Sequence, residues 1–159
     1  MSWLRSVILC IALSACSFTP IYQKGGAQHA LQHIKVEAAR DRNAQLFATN
    51  LEDKLHYKAL ESAQYTLTPL ITISSVPLSI EQDGTALRYR ITGKAAYSLR
   101  DNAGNSVHQG NVERLGSYNI SEADFSRYVS EQDAREQVIE GLAEAMRMEL
   151  IQFFQQKDT

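Results

Sequence analysis

Apolar and polar positions alternate most regularly between Leu87 and Arg100. Leu87, Tyr89, Ile91, Ala95, Tyr97 and Leu99 share one parity, and Arg88, Arg90, Thr92, Lys94, Ser98 and Arg100 share the other. Period-two alternation over this length predicts a half-buried strand, with its apolar set inward. Gly93 interrupts the apolar set, where glycine marks a bulge or a close backbone approach. The DNAGN run from Asp101 to Asn105 predicts a turn, and Val107–Tyr118 a weaker returning strand.

Upstream, Tyr65–Ile80 is rich in Thr, Ile and Val. Its first half, Tyr65, Leu67, Ile71 and Ile73, is apolar on odd positions. Its second half, Val76, Leu78 and Ile80, is apolar on even ones. A one-residue shift moves side chains to the other face, so a bulge or break is expected near Ser74–Ser75. Pro69 and Pro77 belong at edge positions. Asp83–Gly84 predicts the next turn.

Two stretches follow helical spacing. Phe47, Leu51 and Leu55, joined by Leu46 and Ala48, form one stripe on a helix ending near Tyr57, which Asp41 or Asn43 would cap. Val138, Leu142, Met146, Leu150 and Phe153 line a second, longer helix reaching Gln156. Ile139, Ala143, Ile151 and Phe154 widen its apolar side, Ser121–Asp124 resembles a capping box, and Gly141 suggests a close crossing. A short strand over Leu31–Val36 completes the order β-α-β-β-β-α. The fold class is therefore α+β: a sheet of about four strands with both helices on one face and the basic residues of the central strand on the other.

The N-terminus has a different pattern. Arg5 is the single charge before the apolar run Ser6–Leu13, which is too short to span a bilayer. A secretory signal over residues 1–15 fits. Leu13-Ser14-Ala15-Cys16 also fits a lipobox, in which the Cys16 thiol takes a diacylglyceryl group and the chain, cut before it, is N-acylated. The other reading is an ordinary cleaved signal with an incidental Cys16. Three acyl chains exceed the two that stable anchoring requires. Ser17, where Asp would favour inner-membrane retention, leans toward the outer membrane. Residues 16–30 then form a tether broken by Pro20 and Gly25–Gly26, and residues 31–159 one domain.

Composition adds limits. The chain has 159 residues, is 44% hydrophobic, and has a net charge of −2 that becomes more negative once Arg5 leaves. This favours a packed core and gives nucleic acid no general attraction. With Cys10 removed and Cys16 lipidated, packing rather than disulfides must hold the fold. His29 and His33 stand four apart without Glu or Cys in ligand register, and His56 and His108 are isolated, so no metal or other cofactor is expected beyond the lipid on Cys16. No phosphate loop or nucleophile elbow is present, and Glu131, Asp133, Glu136 and Glu140 with Arg135 read as a solvated helix face. An enzyme is not expected. Arg88, Arg90, Lys94 and Arg100 form a ladder on one strand face: either a solvated surface, or a contact for phosphates or carboxylates.

Two local patterns carry a resemblance. Cys16-Ser17-Phe18-Thr19-Pro20-Ile21-Tyr22 resembles the C-G-F-x-P-L-Y opening of LptE-type lipopolysaccharide-assembly lipoproteins, with Ser17 for Gly and Ile21 for Leu. Thr85-Ala86-Leu87-Arg88-Tyr89-Arg90-Ile91 resembles the Arg-Tyr-Arg strand of the alphaproteobacterial branch. The resemblance implies a domain anchored on the periplasmic side of the outer membrane that plugs an LptD-type β-barrel, helps it assemble and takes part in lipopolysaccharide transport. On that reading, Arg88, Arg90 and Lys94 are expected to meet either lipid A phosphates or acidic lumen residues. The alternatives are a lipid-tethered periplasmic binding or scaffold module without a barrel partner, and a tethered envelope hydrolase.

Overall fold

The structure, a computed structural model, describes residues 27–57, 63–80, 86–120 and 124–157. Cys16, the tether before Ala27, the Asp83–Gly84 turn and the Ser121 cap lie outside them. The elements in chain order are α1 (Ala27–Leu31), β1 (Ile34–Val36), α2 (Arg42–Leu55), β2 (Tyr65–Ile80), β3 (Ala86–Asp101), β4 (Ser106–Asn119) and α3 (Asp124–Lys157). The strands form a single sheet in the order β1-β2-β3-β4. β1 is parallel to β2, reached through the α2 crossover, and β2-β3-β4 run antiparallel.

α1 departs from the sequence reading. The strand expected over Leu31–Val36 is only three residues long, and Leu31 ends a short helix instead. Leu31 is nonetheless fully buried, so its apolar character serves the core from a helix rather than from a strand.

α2 forms where the stripe placed it. Asp41 caps it, its carboxylate accepting from the Ala44 N–H at 3.0 Å. The helix closes with His56 in the left-handed region (φ 52°), whose N–H donates to the Asp53 carbonyl, while that of Tyr57 donates to Glu52. This pairing satisfies carbonyls that the helix end would otherwise orphan.

Both longer helices pack on one face of the sheet. Phe47, Leu51 and Leu55 of α2 and Ile139, Leu142, Met146 and Leu150 of α3 are fully buried against Leu67, Ile91, Ala95 and Leu99. Gly93 does not bulge: its register is continuous on both sides. It marks a close approach, since a Cβ there would sit 2.5 Å from Val138 Cγ1 and 2.9 Å from Leu142 Cδ1. Gly141 is not itself the close point. What faces it is the aliphatic stem of Arg114, at 3.4 Å, and the tight packing lies on the strand side.

The irregularity of β2 falls later than expected, between Pro77 and Ile80, with Leu78 left out of the pairing. Val76 therefore stays on the outer face, 49% exposed, and its parity is not corrected. The prolines do occupy edge positions. The Tyr65 N–H and the Leu67 carbonyl bond to the β1 side. Odd residues of β2 therefore direct their backbone groups away from β3. Pro69 and Pro77 are odd, so neither removes a bond from the β2–β3 ladder.

Candidate functional site

The face of the sheet opposite the helices holds every predicted cation of β3. Arg88, Arg90, Lys94 and Arg100 are all exposed, while Ile91, Ala95, Tyr97 and Leu99 are buried beneath them. The alternation of a single strand produced this arrangement, because each successive side chain points to the opposite side of the pleat.

The four cations are not equivalent. Arg88 and Arg90 are one repeat apart, and Lys94 follows within about 20 Å of Arg88 at 3.3 Å per residue. Ala96 and Ser98 then interrupt the series, and Arg100 stands about 20 Å beyond Lys94. Arg88 donates to the Ser117 hydroxyl at 2.7 Å. Lys94 lies 3.7 Å from Glu113, its cross-strand neighbour on β4. Among the described residues, no carboxylate is within ion-pair distance of Arg90 or Arg100. Arg90 thus combines proximity to two other cations with an uncommitted guanidinium.

Register also brings apolar side chains onto this face. Leu70 is 69% exposed and pairs across to Ala96, while Leu115 is 64% exposed and lies beside Thr92. Val76 is the cross-strand neighbour of Arg90. The face is therefore amphipathic: cations from β3 flanked by isolated aliphatic groups from β2 and β4. Sequence reasoning missed Leu70 and Leu115. Their even and odd positions could be read, but their placement beside the cations depends on the pairing of distant strands.

The helix side has a polar groove of about 530 Å³ between β4 and the last turns of α3, lined by residues that include His108, Glu149, Gln152 and Phe153. His108 stacks on Phe153 with ring centroids 4.4 Å apart. Glu149, one of its lining residues, accepts from the Tyr97 hydroxyl at 2.8 Å. Burial, reinforced by that carboxylate, holds the Tyr97 phenol well above the ordinary tyrosine range. This neutral phenol joins β3 to α3. Arg88, Arg90, Lys94 and Arg100 do not line the groove. Among the described residues, no group of three His, Cys, Asp or Glu side chains is placed to hold a metal, and no helix is long and apolar enough to cross a membrane.

The LptE family, described as lipopolysaccharide-assembly, matches residues 31–152, a span from the end of α1 into the last turns of α3. The chain belongs to the LptE family. Related chains are consistent with that membership in sequence and in fold. The uncharacterized protein RP188 of Rickettsia prowazekii is 30% identical over 102 residues, and the chain spans 64% of the length of that curated relative. A Caulobacter crescentus protein described as a lipoprotein superposes with a TM-score of 0.68 at 20% identity, over 80% of this chain and 95% of that one. A minor lipoprotein of Acinetobacter baumannii superposes at 0.58 with 17% identity, over 74% of this chain and 87% of its own. At such identities the two structures share the LptE-family fold with this chain, and the four-stranded sheet with helices on one face is that fold.

Proposed function

We propose that the chain is an outer-membrane lipoprotein, anchored through acylated Cys16, that plugs an LptD-type β-barrel and takes part in moving lipopolysaccharide outward. The observation that carries this reading is the family match across residues 31–152, because it covers nearly the whole described domain. The anchor rests on Leu13-Ser14-Ala15-Cys16. No catalytic step is assigned to it.

The geometry fits the reading. The chain enters the domain at Ala27, next to β1, whose Ile34 pairs with Tyr65 at the start of β2. Arg100 is at that same end, since Thr66 pairs with it. The stretch from Cys16 to Ala27 spans at most about 40 Å. Arg88, Arg90 and Lys94 lie at least about 20 Å further from the anchored end than Arg100. A tether of that reach lets the cation cluster stand away from the leaflet that holds the lipid. Phosphates of lipid A, or carboxylates lining a barrel lumen, are the anions such a cluster would meet there. Exposed guanidinium groups would bind either one bidentately.

Extraction of envelopes with mild detergent, followed by mass spectrometry of what stays bound, tests the proposal. The expected companion is a large heat-modifiable barrel, and Cys16→Ala should move the protein from the envelope to the soluble periplasm. Recovery as a solitary species from gentle extracts would instead identify a tethered scaffold module without a barrel partner. Cys16→Ala protein that kept its lipid anchorage would overturn the anchor assignment.

A further inference from the structure

The seam between α3 and the sheet changes character along its length. Toward the middle of α3 it is apolar and shut: Ala134, Val138, Leu142 and Ala145 are buried, and Val138 packs directly on Gly116 of β4. From Glu149 onward it opens into the groove of about 530 Å³. Glu149, Gln152, Phe153 and Gln156 fall at i, i+3, i+4 and i+7, the spacing of one helical face. A face turned toward a sheet is ordinarily apolar. Here all but Phe153 are polar, so the face lines a cleft instead of closing it.

The polar groups are mostly of one kind. Gln152 and Gln156 on the helix stand across from Gln109 and Asn111 on β4. Each primary amide carries two N–H donors and a carbonyl acceptor. Gln109 donates to the Ser106 hydroxyl at 3.1 Å, while Asn111, Gln152 and Gln156 make no side-chain hydrogen bond among the described residues. His108 and Phe153 add a stacked pair of rings, their planes 15° apart, and both are half-buried, so part of each ring stays open to the groove. Tyr97 holds Glu149 through Oε2, which leaves Oε1 to accept from a ligand. Gly110 makes room for that bond: a Cβ there would lie 2.7 Å from the Tyr97 hydroxyl and 2.8 Å from Glu149 Oε2.

We infer that this groove is a binding site for neutral saccharide units. Among the described residues no Lys or Arg lines it, so phosphates and carboxylates find no counter-charge there. A single carboxylate already engaged by Tyr97 holds a cation only weakly. Acyl chains would strand the unpaired amides away from water, which is costly. Sugar hydroxyls are donors and acceptors at once, and amides with both capacities answer them. The C–H face of a pyranose ring is flat and apolar, and it packs on an aromatic plate such as His108–Phe153. The groove's volume lies within the ordinary range of small-molecule sites.

The site is separate from the cation cluster. His108 and Gly110 pair with Leu99 and Tyr97, whose side chains are buried on the helix side, whereas Arg88, Arg90 and Lys94 lie on the opposite face and toward the other end of β3. Sugar and phosphate would therefore be recognised on different surfaces. The source of the sugar rests on the function proposed above: for a protein that handles lipopolysaccharide, it is the saccharide part of that glycolipid. The glycan of the cell wall is the other source open to a periplasmic domain.

The test uses the full chain in mild detergent and saturation-transfer NMR from protein to sugar, with two probes. One is delipidated, dephosphorylated oligosaccharide released from lipopolysaccharide. The other is N,N′-diacetylchitobiose, a neutral stand-in for cell-wall glycan. Transfer should be strongest to the ring C–H protons that pack on His108 and Phe153. Asn111→Ala and Gln152→Ala, both at exposed positions, should each weaken binding about fivefold, the loss of one hydrogen bond, with an unchanged unfolding midpoint. Arg90→Glu/Lys94→Glu, on the other face, should leave saccharide binding as it is. Binding of the first probe supports the site with the glycolipid as its source, and binding of the second alone supports the site with the cell wall as its source. No transfer to either probe at millimolar concentration, or transfer that Asn111→Ala and Gln152→Ala leave unaltered, would overturn the inference. A barrel companion recovered by detergent extraction would stand in either case, so the two proposals fail separately.

Discussion

At the residue scale, two side-chain positions on β3 decide how closely the helix layer sits. Gly93 lets Val138 and Leu142 of α3 touch the strand, and a Cβ there would lie 2.5 Å from Val138 Cγ1. Both neighbours are buried in the core and cannot move aside freely. Gly93→Ala should destabilise the domain by about 1–3 kcal/mol, the usual cost of overpacking, read from the midpoint of urea unfolding. Tyr97 supplies the other constraint. Its folded phenol keeps its proton to higher pH than an unfolded tyrosine, because burial and the Glu149 carboxylate disfavour the phenolate. Below the unfolded value near 10 both states are protonated and the contribution is complete. As pH rises past that value the unfolded chain releases the proton first, so stability falls. Unfolding measured at pH 9 and pH 11 should show this loss, and Tyr97→Phe should reduce it. Some alkaline loss should remain, since burial also raises the Tyr118 phenol.

At the element scale, what could be read from the sequence was whatever a single element records about its own faces. β3 was legible because one side is buried and the other solvated, and α2 because its stripe and its capping Asp41 are local. Asp41→Ala should therefore cost about 1 kcal/mol, the ordinary value of an N-cap, with the loss appearing in thermal unfolding and the sheet register unchanged. β2 was read less well. Its second half is apolar on even positions, which suggests a compensating bulge if every apolar residue must face inward. Val76 faces outward instead, because among the described residues no layer covers that side and isolated exposed aliphatic groups cost a fold little. α1 escaped notice because five residues are too few to show a helical period. The candidate site divides along the same line. Alternation alone placed Arg88, Arg90, Lys94 and Arg100 on one face, whereas Glu113, Leu70 and Leu115 join them through pairings with residues far away in sequence.

At the scale of the whole molecule, the domain is a two-layer body with one face closed by helices and the other left amphipathic. An acidic chain that gathers its strand cations on the open face has separated its charges, and the separation can be tested without disturbing the core. Arg90→Glu changes an exposed side chain with no ion-pair partner among the described residues, so its effect on stability should fall within about 0.5 kcal/mol. Lys94→Glu is less innocent, because it faces Glu113 across the strands, and directly opposed like charges are destabilising by up to about 1 kcal/mol. Exchanging the pair, Lys94→Glu with Glu113→Lys, restores the cross-strand attraction and leaves the face's net charge unchanged. If the face recognises phosphates or lumen carboxylates as a field of positive charge, Arg90→Glu/Lys94→Glu should weaken retention of lipopolysaccharide or barrel in a pull-down at moderate salt, and the exchanged pair should behave much like the parent. If Lys94 must be in place to contact an anion directly, the exchanged pair should fail as well. In either case added salt should reduce the parent's binding, since exposed charges are screened beyond about 8–10 Å at physiological ionic strength. Unchanged retention by Arg90→Glu/Lys94→Glu would remove these two residues from the site, while the family assignment, which rests on residues 31–152 as a whole, would stand.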